Sequence, residues 1–165
     1  MKKSTLLTRS VSGFVLLFLL PLTLFAGQAS AANTKTEELL EIADEVGPEK
    51  VRQLIQDGAD VNAKNKYGWT PLMFAAGYNR SMEVLRVLLE TEAEVNAKNK
   101  DGRTPLMAAA RYNSNPEVLG GLIGAGADAK VKDNEGKTAL DYARMNEKLK
   151  DTGALKLLEE KTGQN

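Results

Sequence analysis

Residues 68–76 read GWTPLMFAA and residues 102–110 read GRTPLMAAA, so one pattern returns after 34 residues. A third, altered copy, GKTALDYAR, occupies residues 136–144 at the same offset. The stretch GADVNA at residues 58–63 likewise returns as EAEVNA at residues 92–97. A fixed period of about 20 to 50 residues is the sequence signature of a stacked-repeat architecture. The repeat therefore predicts the fold class before any single residue is interpreted.

The repeated pattern begins with the residues of a helix start. The Thr70 hydroxyl can cap free backbone N–H groups, and Pro71 fits the first helical position. Leu72, Ala75 and Ala76 fall on one helical face, where alanines let a neighbouring helix approach closely. Each copy is therefore predicted to contain one short helix that packs against its counterpart in the next copy.

A second helix is predicted after a short loop. Residues 84–89 are apolar except for Arg86 and form the stripe of this helix. Gly58 and Gly126 follow such helices, where a left-handed residue ends the last turn. Glu92 stands at the matching position, and a non-glycine residue in this conformation costs about 1 kcal/mol. We therefore expect a strained backbone at Glu92.

These residues resemble the ankyrin-repeat family, whose unit is a turn followed by two antiparallel helices with a Thr-Pro-Leu-His-x-Ala signature. Met73 and Met107 stand where the family usually has histidine, so the usual bond from that histidine to the threonine must be absent or replaced. The resemblance implies an all-α solenoid of about four stacked units within residues 32–165. The units span about residues 34–64, 65–98, 99–132 and 133–162, and the first, which lacks Thr-Pro, resembles an N-terminal cap.

The loop between the two helices of a unit is one residue longer than in the commonest ankyrin unit, which accounts for the period of 34. It contains Tyr78-Asn79 in one unit and Tyr112-Asn113 in the next. Because residues that recur in register build the repeat, we expect Tyr78 and Tyr112 to have a packing role.

The first 31 residues have a different character. Lys2, Lys3 and Arg9 are the only charged residues there, an apolar run follows to Ala26, and small residues stand at 29–31. Basic, apolar and then small is the order of a secretory signal peptide. We expect cleavage before Ala32, a periplasmic or secreted bacterial protein and no stable membrane insertion afterwards. An uncleaved membrane anchor is the alternative.

Composition disfavours several classes of function. The chain has no histidine and no cysteine, which removes most zinc, copper and iron–sulfur sites and the usual nucleophile pairs. We therefore expect no enzyme activity, no metal and no cofactor. Beyond residue 31 the formal net charge is −3, which disfavours non-specific nucleic-acid binding.

Within the ankyrin family, partner contacts usually come from the turn tips and the exposed ends of the inner helices. Carried over to this chain, that resemblance implies eight protein-binding candidates: Lys66, Tyr67, Trp69, Tyr78, Arg103, Arg111, Tyr112 and Lys137.

Trp69 is the only tryptophan, and its counterparts in the next two units are Arg103 and Lys137. A scaffold role would tend to recur at matching positions, so the break in symmetry favours a binding role for Trp69. The alternative is a ring lying flat over the adjacent turn. A second series, Lys64, Lys98 and Lys132, predicts solubility at exposed turns or attraction of an acidic partner.

The function that the sequence favours is protein binding by a monomer in the periplasm or outside the cell. One version supports or protects another exported protein, for example an enzyme of oxidative-stress defence. An alternative is an immunity protein that inhibits a secreted toxin, and a second alternative is an enzyme. The sequence does not name the protein partner.

Overall fold

The computed structural model describes residues 33–41, 43, 47–78 and 81–163. In these residues the regular structure is helical, with no strand. The first helix, α1, covers residues 33–41. The others are α2 (Pro48–Gln56), α3 (Pro71–Tyr78), α4 (Met82–Glu90), α5 (Pro105–Tyr112), α6 (Pro116–Gly124), α7 (Ala139–Met145) and α8 (Gly153–Thr162), with a short 3-10 helix at Glu147–Leu149.

The helices stack in two layers. In the inner layer α3 contacts α5 and α5 contacts α7, and in the outer layer α2, α4, α6 and α8 contact one another in sequence. Within a unit, each inner helix also packs on the outer helix that follows it. The expected all-α repeat solenoid is confirmed.

The core lies between the two layers. Leu72, Leu106 and Leu140 occupy matching positions in the three inner helices, and each is at most 1% exposed. Ala76 and Ala110, also in register, are fully buried. As no cysteine is present, no disulfide joins the units, and this apolar packing forms the core of the contact between them.

The inner helices start as predicted, with threonine caps. The Oγ1 atoms of Thr70 and Thr104 accept hydrogen bonds from the backbone N–H groups of Met73 and Met107, at 3.3 and 3.4 Å. The donors are backbone groups, so these caps do not depend on the type of residue at positions 73 and 107.

In the fourth unit, a carboxylate takes part in the cap of the inner helix. Asp141, in register with the two methionines, accepts hydrogen bonds from the backbone N–H and the hydroxyl of Thr138, both at 2.7 Å. The Thr138 hydroxyl in turn accepts from the Asp141 backbone, which completes a capping box. The bond from the Thr138 backbone is the main reason that the pKa of Asp141 lies below its usual range.

Polar side chains connect one turn to the next. The Asn62 amide donates to the Glu92 carbonyl at 3.1 Å, and its oxygen accepts from the Glu94 N–H at 2.7 Å. Along the same edge, the Lys64 ammonium donates to the carbonyl of Lys98 at 3.3 Å, and Lys98 donates to the carbonyl of Lys132 at 3.3 Å. The two lysines therefore have a role in the scaffold, beyond the solubility and partner attraction considered from the sequence.

Glu92 is the non-glycine residue with a positive φ among the described residues, at 63°. Its counterparts Gly58 and Gly126 have φ values of 96° and 94°. The prediction of a left-handed backbone at Glu92 is confirmed.

We predict that Glu92→Gly raises the free energy of unfolding by up to about 1 kcal/mol, because glycine adopts this conformation without steric cost. Chemical denaturation of both proteins measures the difference. Glu94→Gly is the matched control: it removes an exposed carboxylate from the same turn, where no left-handed strain exists to relieve. An unchanged or lower denaturation midpoint for Glu92→Gly would contradict the prediction.

The predicted signal peptide and its apolar run lie outside the described residues. Within the described part, no helix is both long and apolar enough to cross a membrane.

Candidate protein-binding surface

The repeat places the candidate residues on one side of the stack, at the turn tips and at the carboxyl ends of α3 and α5. Trp69, Arg103 and Lys137 occupy one position of successive turns, and Tyr78 and Tyr112 are the last residues of α3 and α5. We call the surface formed by Lys66, Tyr67, Trp69, Tyr78, Arg103, Arg111, Tyr112 and Lys137 the tip face. Its two halves differ in chemistry, although the backbone beneath them repeats.

The first half of the tip face is an aromatic cluster made of Trp69, Phe74, Tyr78 and Tyr112. The Trp69 ring centroid lies 5.2 Å from that of Phe74, 6.1 Å from Tyr78 and 6.3 Å from Tyr112. Tyr78 and Tyr112 stack with centroids 5.1 Å apart. Since Tyr112 belongs to the next unit, the cluster joins two units through ring contacts, each worth about 0.5–1.5 kcal/mol beyond area burial.

These contacts bear on the two interpretations of Trp69, a role in binding a partner and a role in packing. Its ring is half-buried and lies against Phe74 and Tyr78 of its own helix and Tyr112 at the end of the next one. The stacking of Tyr78 on Tyr112 is the packing contact that their recurrence predicts. Sequence reasoning missed Phe74, whose counterparts are Ala108 and Tyr142; the same break in symmetry that drew attention to Trp69 marks it.

Tyr67 lies beside the cluster at the tip of the same turn. It is 58% exposed, and the Lys66 ammonium lies 5.0 Å from its ring centroid. Its backbone carbonyl accepts a hydrogen bond from the Lys100 N–H at 3.1 Å, so the turn is fixed while the ring projects outward. The expectation of an exposed aromatic tip therefore holds for Tyr67.

Arg103 corrects an expectation, because the sequence placed it at an exposed tip. Its side chain is only 17% exposed. The guanidinium donates to the Tyr142 hydroxyl at 3.0 Å and to the Glu135 carboxylate at 3.1 Å. It also pairs with Asp101 at 3.3 Å and lies 3.6 Å from the buried Asp133 carboxylate. Arg103 thus connects the third unit to the fourth.

Tyr142 and Asp133 form the centre of this second, polar half of the tip face. Tyr142 is 1% exposed, and its hydroxyl donates to Asp133. Burial alone would raise the pKa of Asp133. Hydrogen bonds from the Tyr142 hydroxyl and from two backbone N–H groups, together with the Arg103 charge, outweigh burial, and the pKa of Asp133 lies below its usual range. Sequence reasoning missed both residues; the available signal was that Asp133 replaces the asparagines at 65 and 99.

Lys137 is also tied into the polar half. Its ammonium donates to the Glu135 carboxylate at 2.8 Å, and that bond is the main reason that the pKa of Lys137 lies above its usual range. The ammonium lies 5.8 Å from the centroid of the Tyr142 ring.

Arg111 lies where the two halves meet. It is exposed, and its guanidinium lies 5.3 Å from the Tyr112 centroid and 5.2 Å from the Tyr142 centroid. Unlike Arg103, it forms no ion pair with a described carboxylate. Its guanidinium therefore lies over two rings while the side chain remains exposed to solvent.

Asparagine amides anchor the segments that follow two of the inner helices. The buried Asn113 donates to the Ala76 carbonyl at 2.8 Å, and the half-buried Asn146 donates to the Ala110 carbonyl, which is in register with that of Ala76, at 3.0 Å. Each amide satisfies a free carbonyl at the end of the preceding inner helix. The tyrosine before Asn113 is thereby held in a fixed position on the tip face.

Among the described residues, no group of three or more histidine, cysteine, aspartate or glutamate side chains is arranged to hold a metal ion.

Stacked helix pairs joined by turns at a regular spacing define a helical repeat protein. A family model described as ankyrin repeats, in three copies, matches residues 39–133, more than half of the chain. The chain belongs to the ankyrin-repeat family. It is also similar to the human (Homo sapiens) mitochondrial disaggregase, with 43% identity over 57 residues. That match covers 34% of this chain and only 8% of the human protein.

The buried Asp133 carboxylate gives a prediction about pH. Asp133→Asn should lower the free energy of unfolding at pH 7 by about 2 kcal/mol, since hydrogen bonds to a charged group contribute about 1.5–3 kcal/mol. A carboxyl whose pKa falls on folding stabilises the protein above its unfolded pKa of about 3.9, and the stabilisation is lost as pH falls through the folded value. The difference between the two proteins should therefore shrink below about pH 4.

Denaturant titrations at neutral and acidic pH measure this difference. Asp151→Asn, which removes an exposed carboxylate, is the control and should change stability little at either pH. A destabilisation by Asp133→Asn that is equal at both pH values would show that the charge of Asp133 is not what stabilises the turn.

Proposed function

We propose that this chain is a non-enzymatic scaffold that acts as a monomer in the periplasm or outside the cell of a bacterium, where its tip face binds another exported protein. Ankyrin repeats indicate a protein-interaction scaffold. The signal-peptide pattern of residues 1–31 supports the proposed location.

The observation that carries the proposal is the aromatic surface beside the second turn. Tyr67 is 58% exposed and Tyr78 is 46% exposed, and the half-buried ring of Trp69 stacks on Tyr78. Tyrosine, tryptophan and arginine dominate the residues that contribute most to protein interfaces. The rings are already held by one another and by the loop anchors, so binding would order few additional side chains.

Two roles remain within this proposal. The scaffold supports or protects another exported protein, or it is an immunity protein that inhibits a secreted toxin. Affinity purification from the native periplasm, followed by mass spectrometry of the co-purifying proteins, distinguishes an enzyme client from a toxin. A screen of the purified protein against general hydrolase substrates tests the enzyme alternative.

The binding role of the tip face is tested by a double variant. We predict that Tyr67→Ala with Trp69→Ala weakens binding of the purified partner by at least about 2 kcal/mol, the usual threshold for a dominant interface residue. Calorimetric titration of wild type and variant measures the change, and circular dichroism verifies that the helices are retained. Arg86→Ala, an exposed change on outer helix α4, is the control and should leave affinity unchanged.

The double variant has two outcomes that would contradict the prediction. Equal affinity of the double variant and the wild type would move the binding site away from the aromatic cluster. Loss of helical structure would assign Trp69 to the scaffold, and Tyr67→Ala alone, which removes an exposed ring, would then test the site.

The proposed location gives a separate prediction. The mature protein should begin at Ala32 or within a few residues of it, so intact-mass measurement should show the loss of about thirty residues. The protein should appear in the periplasmic or culture fraction. Recovery of the full-length chain with the membrane would instead support the uncleaved anchor.

A further inference from the structure

The charges of the tip face are distributed unevenly. In the polar half, Arg103 pairs with Asp101 and Glu135, and Lys137 pairs with Glu135. In the aromatic half and at its boundary with the polar half, the cations Lys66 and Arg111 lie over tyrosine rings and form no ion pair with a described carboxylate. The polar half is therefore compensated within the chain, whereas the aromatic half presents open positive charge beside apolar rings.

Of these two cations, Arg111 has the geometry that is better suited to bind a carboxylate. Its guanidinium lies over two aromatic rings, at 5.3 and 5.2 Å from their centroids, whereas the Lys66 ammonium lies over the single ring of Tyr67. A planar guanidinium that rests on rings can still donate hydrogen bonds from its free edge, and it matches the two oxygens of a carboxylate. Less side-chain entropy is then lost when a carboxylate binds.

The same rings are poorly arranged to receive a cation. An aromatic cage for an ammonium group needs separated ring faces, but Tyr78 and Tyr112 stack with an interplanar angle of 24°, and Trp69 stacks on Tyr78 at 25°. Arg111 already occupies the position over Tyr112. A positively charged segment would be repelled by Lys66 and Arg111 as well.

We propose that the occupant of the aromatic half is an acidic segment of the partner protein, with an aspartate or glutamate on the Arg111 guanidinium and a neighbouring apolar side chain against Tyr78 and Tyr112. This inference rests on the proposed protein-binding function and adds the chemistry of the partner to it. The carboxylate fixes the register of the segment, and the apolar contact with the rings supplies affinity.

The test uses peptides, so it does not depend on the native partner. A phage library of random dodecapeptides is selected against the purified wild-type protein, Arg111→Gln and Arg86→Gln. The last variant removes an exposed arginine from outer helix α4 and is the matched control. Trp69, the only tryptophan, lies in the cluster, so its fluorescence emission reports whether a synthetic peptide binds there.

The wild type and Arg86→Gln should select peptides in which aspartate or glutamate is adjacent to leucine, isoleucine, phenylalanine or methionine. These peptides should change the Trp69 emission. Their affinity should fall at least about tenfold for Arg111→Gln, or when their acidic residues are replaced by the corresponding amides. Arg111→Lys, which keeps the charge without the planar donor, should give an intermediate affinity.

Selected peptides without acidic enrichment, equal binding to Arg111→Gln, or no selected peptide at all would each overturn the inference. The proposed function is judged separately, by the native partner. Suppose that the partner binds Arg111→Gln as tightly as wild type but loses affinity for the Tyr67 and Trp69 double variant. The proposal that the tip face binds a protein is then supported, and the proposal that an acidic segment occupies it is contradicted.

Discussion

Close packing between neighbouring inner helices is the constraint on which the rest of the structure depends. Ala76, Ala109, Ala110 and Ala143 are fully buried between these helices, and a Cβ at Gly77 would lie 3.7 Å from Ala108. Small residues keep successive helices close enough for side chains in register to touch. The stacked tyrosines and the Arg103 bonds to Tyr142 and Glu135 require that proximity, because each joins residues from two units.

The repeat then separates the residues that build the stack from those that distinguish one unit from another. Thr70 and Thr104 cap helices in the same way, and Lys64 and Lys98 each donate to the matching carbonyl of the next turn. Trp69 and Arg103 occupy matching positions in successive units, but their surroundings differ. Phe74 and Tyr112 surround the tryptophan, whereas Tyr142 and Asp133 bind the arginine. One backbone therefore supports two different surfaces.

This division explains what could be predicted from the sequence. The helices, the threonine caps and the left-handed backbone at Glu92 follow from local chemistry that recurs at a fixed period, and the structure contains all three. The environment of Arg103 does not follow, because it depends on Asp133 and Tyr142, each of which departs from its own counterparts in other units. A substitution in one unit that compensates for a substitution in another leaves no periodic signal. The aromatic cluster was missed in part for the same reason, as Phe74 has no aromatic counterpart in the third unit.

Arg111 shows how stability and recognition become linked in such a stack. Its guanidinium rests on Tyr112 of the aromatic half and on Tyr142 of the polar half, so the position of a surface charge depends on two packed rings. Tyr142 is in turn held by Asp133 and Arg103. A change in that buried network would therefore alter the tip face without touching any exposed residue. Tyr67 is the contrasting case: its turn is fixed by a backbone bond to Lys100 while its ring is exposed, so its contribution to binding is separable from its contribution to the fold.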